Sequence, residues 1–514
     1  MGQNAEEITQ ELRQRFTHIW RLQGAQDPET LTALTYYVAA LLENYRELEP
    51  TALAAAANHI AELVAELRLS YGEYHPATCV ARAKIAEILQ TMGQFEEART
   101  LFHKCATGFE QEYGKENTSA MSLRGQAADC LAQLGRFAEA LPEFTELLDM
   151  QRRVLGPLDS ETLLTWTSVM ICLDEVGRTE QACAESELLL AARIQVSGEK
   201  DPDTLLVRYK YAGQLQELGR PGEALIEYKA VLAGRKETFG PYHPFTFIVW
   251  DALGTCLVDV GDLEAATNEL EQALLAAKKL LGSGHYQTLV LWNDWVSCLL
   301  RQENYERGIP ELKALLDTHK AMNGLDDPQT LETWYAYAYY LFVNKQFSAA
   351  GAEFPNVLKR YERLYGEYDQ ETTMVRMIYA QTLRELGELD QSCAEYKKVM
   401  TAYQQLPGAD PLEVLYARNE YARCLLEADR VAEVLAESSG ILEQTRQVCG
   451  EDDEETFKAW NNYAYALVLA GMVSEAQFEY ECLLTVAVRT LGREHAVVLD
   501  AQDTLADVST QLGQ

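Results

Sequence analysis

The chain has 514 residues with 44 Lys+Arg against 79 Asp+Glu, a formal net charge of 44 − 79 = −35, and 47% of it is hydrophobic. Such an acidic excess argues against a nucleic-acid partner, which needs a basic stripe, and against docking on anionic membranes. The apolar share is too high for an acidic disordered chain, and no apolar run approaches the roughly 18 residues of a spanning helix.

The first segment, MGQNAEEITQ, has no basic and apolar signal region, and Glu6 stands where a myristoylation pattern wants Ser or Thr. Residues 6–21, with Ile8, Leu12 and Phe16, carry the apolar spacing of one capping helix. The turn GAQDPET (24–30) opens a first unit, 24–71, about six residues longer than those that follow, with the excess expected in YRELEP (45–50). From there glycines recur at 72, 114, 156, 198, 240, 282, 324, 366, 408, 450 and 492, every 42 residues without a slip. A fixed period of this size marks a repeat array, here ten units over 72–491. Residues 492–514 hold one further first helix, so half-units are expected to cover the apolar face at both ends.

Within each unit two stretches of helical period flank a second turn, usually glycine: Gly93, Gly135, Gly177, Gly219, Gly261, Gly387, Gly471 and Gly513. Seven residues before it sits a small residue (Ala86, Ala128, Ala212, Gly254, Ala338, Ala380, Ala422, Ala464, Ala506). Five after it sits another (Ala98, Ala140, Ala182, Ala224, Ala266, Gly308, Ala350, Ala476). Small residues at fixed points of two successive helices allow a close crossing. Four residues on, a ring fills the next hole: Phe102, Phe144, Tyr228, Phe354, Tyr396 or Tyr480.

This combination resembles the tetratricopeptide repeat, and Trp166, Trp250, Trp292, Trp334 and Trp460 fall on that repeat's Trp position. The 42-residue unit with GxxHPxT between copies is similar to the kinesin light chain type, also found in many bacterial regulatory proteins. The resemblance implies an all-α, right-handed solenoid of antiparallel helix pairs, about 24 helices over 1–514, whose first helices line a concave groove.

Motifs of catalysis are missing. Gly108 to Lys115 comes nearest to a phosphate loop, but it has five residues between its glycines and Glu116 where Ser or Thr should stand. There is no HExxH, GxSxG, GxGxxG or CxxC. Cys130, Cys172, Cys256, Cys298 and Cys424 share one first-helix register, as core fillers do, and the odd total of eleven suits a reducing, cytoplasmic compartment. His75, His243, His285 and His495 share a turn slot with Asp159, Asp201, Asp327, Asp369 and Asp453, which reads as helix-cap chemistry rather than a metal site. No enzyme, metal or cofactor is expected.

Function then falls to the groove. Its expected slots carry six basic side chains: Lys84, Lys210, Arg301, Arg384, Arg423 and Lys458. Against them stand fifteen acidic ones: Glu87, Asp129, Asp174, Glu175, Glu217, Asp251, Asp259, Asp294, Glu332, Glu385, Glu420, Glu427, Asp500, Asp503 and Asp507. A basic or mixed-charge ligand is favoured. Repeat 7 reads TWYAYAYYLF (333–342) and turns Tyr335, Tyr339 and Phe342 into the groove as aromatic anchors. Repeats 8 to 10 add Gln381, Arg384, Asn419, Arg423, Asn461, Asn462 and Tyr465, with Asn293 in repeat 6; amides suit an extended peptide, since each both donates and accepts. Glu303 and Lys345 at the second turn, with Pro310 and Pro355 beyond, predict a bend between about 303 and 356. The expected function is a non-catalytic scaffold for a peptide or protein. The alternatives are a sensor subunit partnered with a nucleotide-switch ATPase or caspase-like protease, and end-to-end self-assembly.

Overall fold

The structure is a computed structural model that describes residues 5–24, 27–43, 50–406 and 408–512. Residues 45–49 of the expected insertion, Ala25 and Gln26 of the first turn, the side chain of Ile8, and Gly513 lie outside the described residues. Every regular element among the described residues is an α-helix, twenty-four in all.

Two compact units divide the chain, Met1–Ala265 and Ala266–Gln514. The first holds α1 (Ala5–Gln23), α2 (Pro28–Glu43), α3 (Pro50–Tyr71), α4 (Pro76–Thr91), α5 (Phe95–Tyr113), α6 (Thr118–Gln133), α7 (Phe137–Val154), α8 (Ser160–Glu175), α9 (Thr179–Ser197), α10 (Pro202–Glu217), α11 (Pro221–Thr238) and α12 (Pro244–Val260). The boundary falls in the first turn of α13 (Leu263–Leu281). The second unit continues with α14 (Tyr286–Arg301), α15 (Tyr305–Asn323), α16 (Pro328–Val343), α17 (Phe347–Leu364), α18 (Gln370–Glu385), α19 (Leu389–Gln405), α20 (Pro411–Glu427), α21 (Val431–Cys449), α22 (Glu454–Leu469), α23 (Val473–Leu491) and α24 (Ala496–Leu512). From α4 onward, even-numbered helices are first helices and odd-numbered ones second helices.

Each unit is a stack of helix pairs because neither helix of a pair can bury its apolar stripe alone. The ring slot is fully enclosed: Phe102, Phe354, Tyr396 and Tyr480 are 0% exposed, and each such ring removes enough apolar surface to be worth about 2–3 kcal/mol. The small slots are buried too, from Ala86 and Ala98 in the first unit to Ala464 and Ala476 in the second. Ala506, on α24, is exposed. Cys130, Cys172, Cys256, Cys298 and Cys424 are buried fillers, and no disulfide joins the cysteines.

The turns are held by the residues the sequence marks. His75, His243 and His285 accept a backbone N–H through Nδ1, and Asp159, Asp201, Asp327, Asp369 and Asp453 do so through a carboxylate oxygen. Asn117 and Asp410 cap α6 and α20 in the same way. At the second turn, Glu303, Lys345 and Asp429 hold φ of 57, 56 and 55°, the left-handed conformation glycine supplies elsewhere. The turn is therefore kept, and these three side chains carry its strain. Both α15 and α17 run unbroken through Pro310 and Pro355, as α7 does through Pro142. Gly108 lies inside α5, where a Cβ would sit 2.5 Å from the carbonyl oxygen of Tyr74. Its role is close packing of a helix on a turn.

One register shows more than its tryptophans. Along the 42-residue period it reads Arg82, Arg124, Trp166, Arg208, Trp250, Trp292, Trp334, Arg376, Arg418, Trp460. Nineteen residues on, in the second helix, a Glu accepts from either type: Trp166 to Glu185 (2.6 Å), Trp292 to Glu311 (2.9 Å), Trp334 to Glu353 (2.6 Å), Trp460 to Glu479 (2.7 Å), Arg208 to Glu227 (3.0 Å) and Arg376 to Glu395 (2.7 Å). Fourteen residues back, the five Trp units and two of the five Arg units carry a partner suited to the occupant. Arg152, Lys236, Lys278, Lys320 and Arg446 lie over the five tryptophan rings, whereas Glu110 and Glu362 face Arg124 and Arg376. A ring takes a cation on its face and a guanidinium takes a carboxylate, so one geometry serves two chemistries.

Candidate interaction surface

In the second unit the first helices α16, α18, α20, α22 and α24 touch their neighbours in turn and form one layer. Their outward positions are the slots that the sequence assigns to a groove. The structure sorts the residues there into three groups.

In α16 the aromatic residues lean on one another. Tyr335 lies 6.1 Å from Tyr339 and 6.3 Å from Tyr361, Tyr339 lies 5.3 Å from Tyr340, and Phe342 lies 5.7 Å from Phe347. All three candidates, Tyr335, Tyr339 and Phe342, are half-buried. Burial, with Tyr339 and Glu371 nearby, pushes the Tyr335 hydroxyl up to about 12, so it stays a neutral donor. The patch is a preformed ring cluster with one side open to solvent.

From α18 to α24 the candidates are largely spent on joining first helices to each other. Gln381, 6% exposed, donates to the Tyr416 hydroxyl at 3.0 Å. Arg384, 8% exposed, reaches Glu427 at 2.8 Å, Glu385 at 2.9 Å and Glu420 at 3.7 Å. Asn419 is buried and accepts from Asn462 at 2.6 Å, while Asn461 donates to Asp500 at 2.8 Å. Burial raises the Glu420 carboxyl above the ordinary carboxylate range, against the pull of Arg384 and Arg423. The sequence places Gln381, Arg384 and Asn419 in reach of a ligand; the structure places them in the seams between helices. Asn293, Arg423 and Tyr465 remain exposed, and Asn461 and Asn462 partly so.

Most basic candidates of the groove slots are taken up by neighbouring carboxylates, so the unpaired charge left in the slots is negative. Lys84 pairs with Glu87, Lys210 with Asp174, Arg423 with Glu427, and Lys458 with Glu454 and Glu455. Together with Arg384, five of the six basic candidates are therefore matched by carboxylates of the same face. In the first unit burial alone lifts Asp129 to about 6.

A cavity of about 520 Å³ opens where α18, α20 and the start of α22 meet the ends of α19 and α21. Met374, Met377, Leu412, Leu415, Tyr416 and Val448 supply its apolar wall, and Glu413, Asp453 and Glu455 its charge. Four of these hydrophobic side chains stay substantially open: Met374 at 38%, Leu412 at 49%, Tyr416 at 37% and Val448 at 48%. The sequence carries a sign of this opening. In most units a buried Thr stands six residues after the inter-unit glycine, and Thr30, Thr78, Thr246 and Thr456 close the turn by donating to that glycine's carbonyl. After Gly408 that position is Val414, and the cap Asp410 follows the glycine by two residues instead of three.

Among the described residues no group of His, Cys, Asp and Glu is arranged to hold a metal ion, and no helix is long and apolar enough to cross a membrane.

Stacked helix pairs, a 42-residue register and a first-helix layer define a helical repeat protein. A tetratricopeptide-repeat family model matches residues 76–153 and 203–279, so those stretches carry tetratricopeptide repeats. Among solved structures it is similar to RapI in its apo form (10% identity, 77% of this chain and 98% of that one, TM-score 0.50). It is also similar to BtubC (BKLC) from P. vanneervenii (14% identity, 44% and 91%, TM-score 0.39). A third is a kinesin-light-chain-like protein from Podosopora anserina with nearly identical TPR-like repeats (18% identity, 39% and 95%, TM-score 0.37). No curated protein sequence matches the chain.

Proposed function

We propose that the chain is a non-catalytic scaffold that holds a peptide or protein partner on its first-helix layer, and that a basic or mixed-charge partner is preferred. Tetratricopeptide repeats support protein interaction. The observation that carries the assignment to this layer is the division of labour within it. Buried polar residues lock the helices, while Tyr335, Tyr339, Phe342 and Tyr465 keep open aromatic surface beside an excess of carboxylates. Aromatic anchors on a rigid support lose little side-chain entropy on binding. The charge disfavours nucleic acid and anionic membrane, and eleven free cysteines suit a reducing cytoplasm.

The test is capture of the partner from the native host by the parent chain and by Tyr339→Ala, Tyr465→Ala and Leu275→Ala, the last altering an exposed second-helix residue. Loss of the partner with the two tyrosine variants and retention with Leu275→Ala is expected. Retention by all three would overturn the assignment to this layer.

A further inference from the structure

We infer that the cavity between α18, α20 and α22 is the specificity pocket of the scaffold, and that it takes a bulky apolar side chain of an extended peptide flanked by Lys or Arg. The inference rests on the proposed scaffold role and deepens it by naming the chemistry of the partner. Three observations carry it.

The first is volume and lining. About 520 Å³ lies within the roughly 300–1,000 Å³ that ligand pockets span. That is room for one large side chain with part of its flanking backbone. Two methionines one turn apart on α18, Met374 and Met377, give a wall that can repack around different shapes.

The second is charge. The lining holds three carboxylates, Glu413, Asp453 and Glu455, and no Lys, Arg or His. Asp453 is tied to the N-terminus of α22 by its cap, and Glu455 is shared with Lys458. Glu413 lies against the Tyr403 hydroxyl, which burial and this carboxylate together push up to about 12. That tyrosine remains a neutral donor and cannot neutralise the carboxylate. An apolar cavity rimmed on one sign of charge selects a ligand with an apolar centre and cationic flanks, because an acidic flank would be repelled and a neutral one would leave the rim unmatched.

The third is position. Of the lining, Met374 and Tyr416 stand in groove slots of the first helices and stay 38% and 37% exposed, so a peptide lying along the layer reaches the cavity. Asn419 is already held by Asn462, and Tyr416 by Gln381, so the wall is built before any ligand arrives.

The experiment uses the full chain and three fluorescein-labelled hexapeptides with Arg-Phe-Arg, Arg-Ala-Arg and Glu-Phe-Glu cores, read by fluorescence anisotropy at two salt concentrations. The Arg-Phe-Arg peptide is expected to bind at least roughly tenfold more tightly than either other peptide, and to weaken as salt rises. Val448→Trp, which fills the mouth from an exposed position, and the pair Glu413→Gln with Glu455→Gln should each cost roughly tenfold. Leucine 412 replaced by serine (Leu412→Ser) serves as a second pocket variant should Val448→Trp lose its helical circular dichroism.

Equal binding of Arg-Ala-Arg would show attraction by net charge alone and overturn the pocket, as would unchanged binding by both pocket variants or no saturable binding at all. Captured host partner separates this outcome from failure of the scaffold role. If Val448→Trp keeps a partner that Tyr339→Ala loses, the pocket inference fails and the scaffold stands; if all first-helix variants keep it, the scaffold assignment fails.

Discussion

Two stretches of the first-helix layer solve the same problem with different chemistry. In α16, half-buried rings pack edge and face on one another and leave their outer sides open. From α18 to α24, amides and a guanidinium bridge neighbouring helices, and the open surface lies in a cavity beside them. The comparison teaches that exposure at a groove slot is set by what the slot must bond. A ring finds its contacts through dispersion and can still present a face, whereas a buried polar group turns toward the partners it needs.

Breaking the polar stretch should have the largest effect. Arg384→Ala leaves the enclosed Glu420 without its cation, an expected loss of about 3–5 kcal/mol read by denaturation, with hydrogen exchange rising first in α18 and α20. Adding Glu420→Gln should restore most of that loss. The pH dependence has a defined sign. Because the folded Glu420 carboxyl titrates above its ordinary range, its contribution is complete below that range and is lost as pH rises through the folded value. Arg384→Ala enlarges this penalty, so the variant should recover stability relative to the parent on acidification.

Next in size is Asn462→Ala, which strands the buried Asn419 amide and should cost about 1–3 kcal/mol in the same assay. A cycle with Asn419→Ala should show coupling, since the two amides share one hydrogen bond. In the aromatic stretch Tyr339→Ala should lower stability by only about 1 kcal/mol while abolishing partner capture. An Asn462-like stability loss at Tyr339 would mean the rings are structural. Smallest is a gain: Lys345→Gly removes left-handed strain next to the aromatic cluster and should add about 0.5–1 kcal/mol, visible as a higher melting temperature.

Much of the architecture was legible in the sequence because it repeats. A slot occupied by Ala or by a ring at every forty-second position states its burial directly, and Ala86, Phe102 and Tyr396 are enclosed as the pattern requires. The cap slot was equally plain, since His and Asp can both offer an acceptor to the first turn. Less legible was the tryptophan register. Read as a Trp motif it lapses in half the units, yet Arg208 and Arg376 serve the Glu nineteen residues on as the tryptophans do. The sequence displays that alternation only when the Trp, the Glu and the residue fourteen positions back are taken together.

The candidate surface was readable as a set of slots but not as a set of contacts. Side-chain length decides which seam is bridged: Arg384 spans to α20, whereas Arg423 stays on its own helix with Glu427. The cavity was missed because its residues, Met374, Tyr416 and Leu412, stand out neither by charge nor by repetition. The shortened spacing from Gly408 to the cap Asp410 was the available signal.

The most direct measurement places a benzophenone photo-crosslinking residue in turn at Tyr339, Tyr465 and Leu275 of the full chain in its native host, and maps the adducts by mass spectrometry. A partner joined from the two first-helix positions and not from Leu275 is the outcome this account predicts. Adducts from Leu275 alone, or from none of the three, would contradict it.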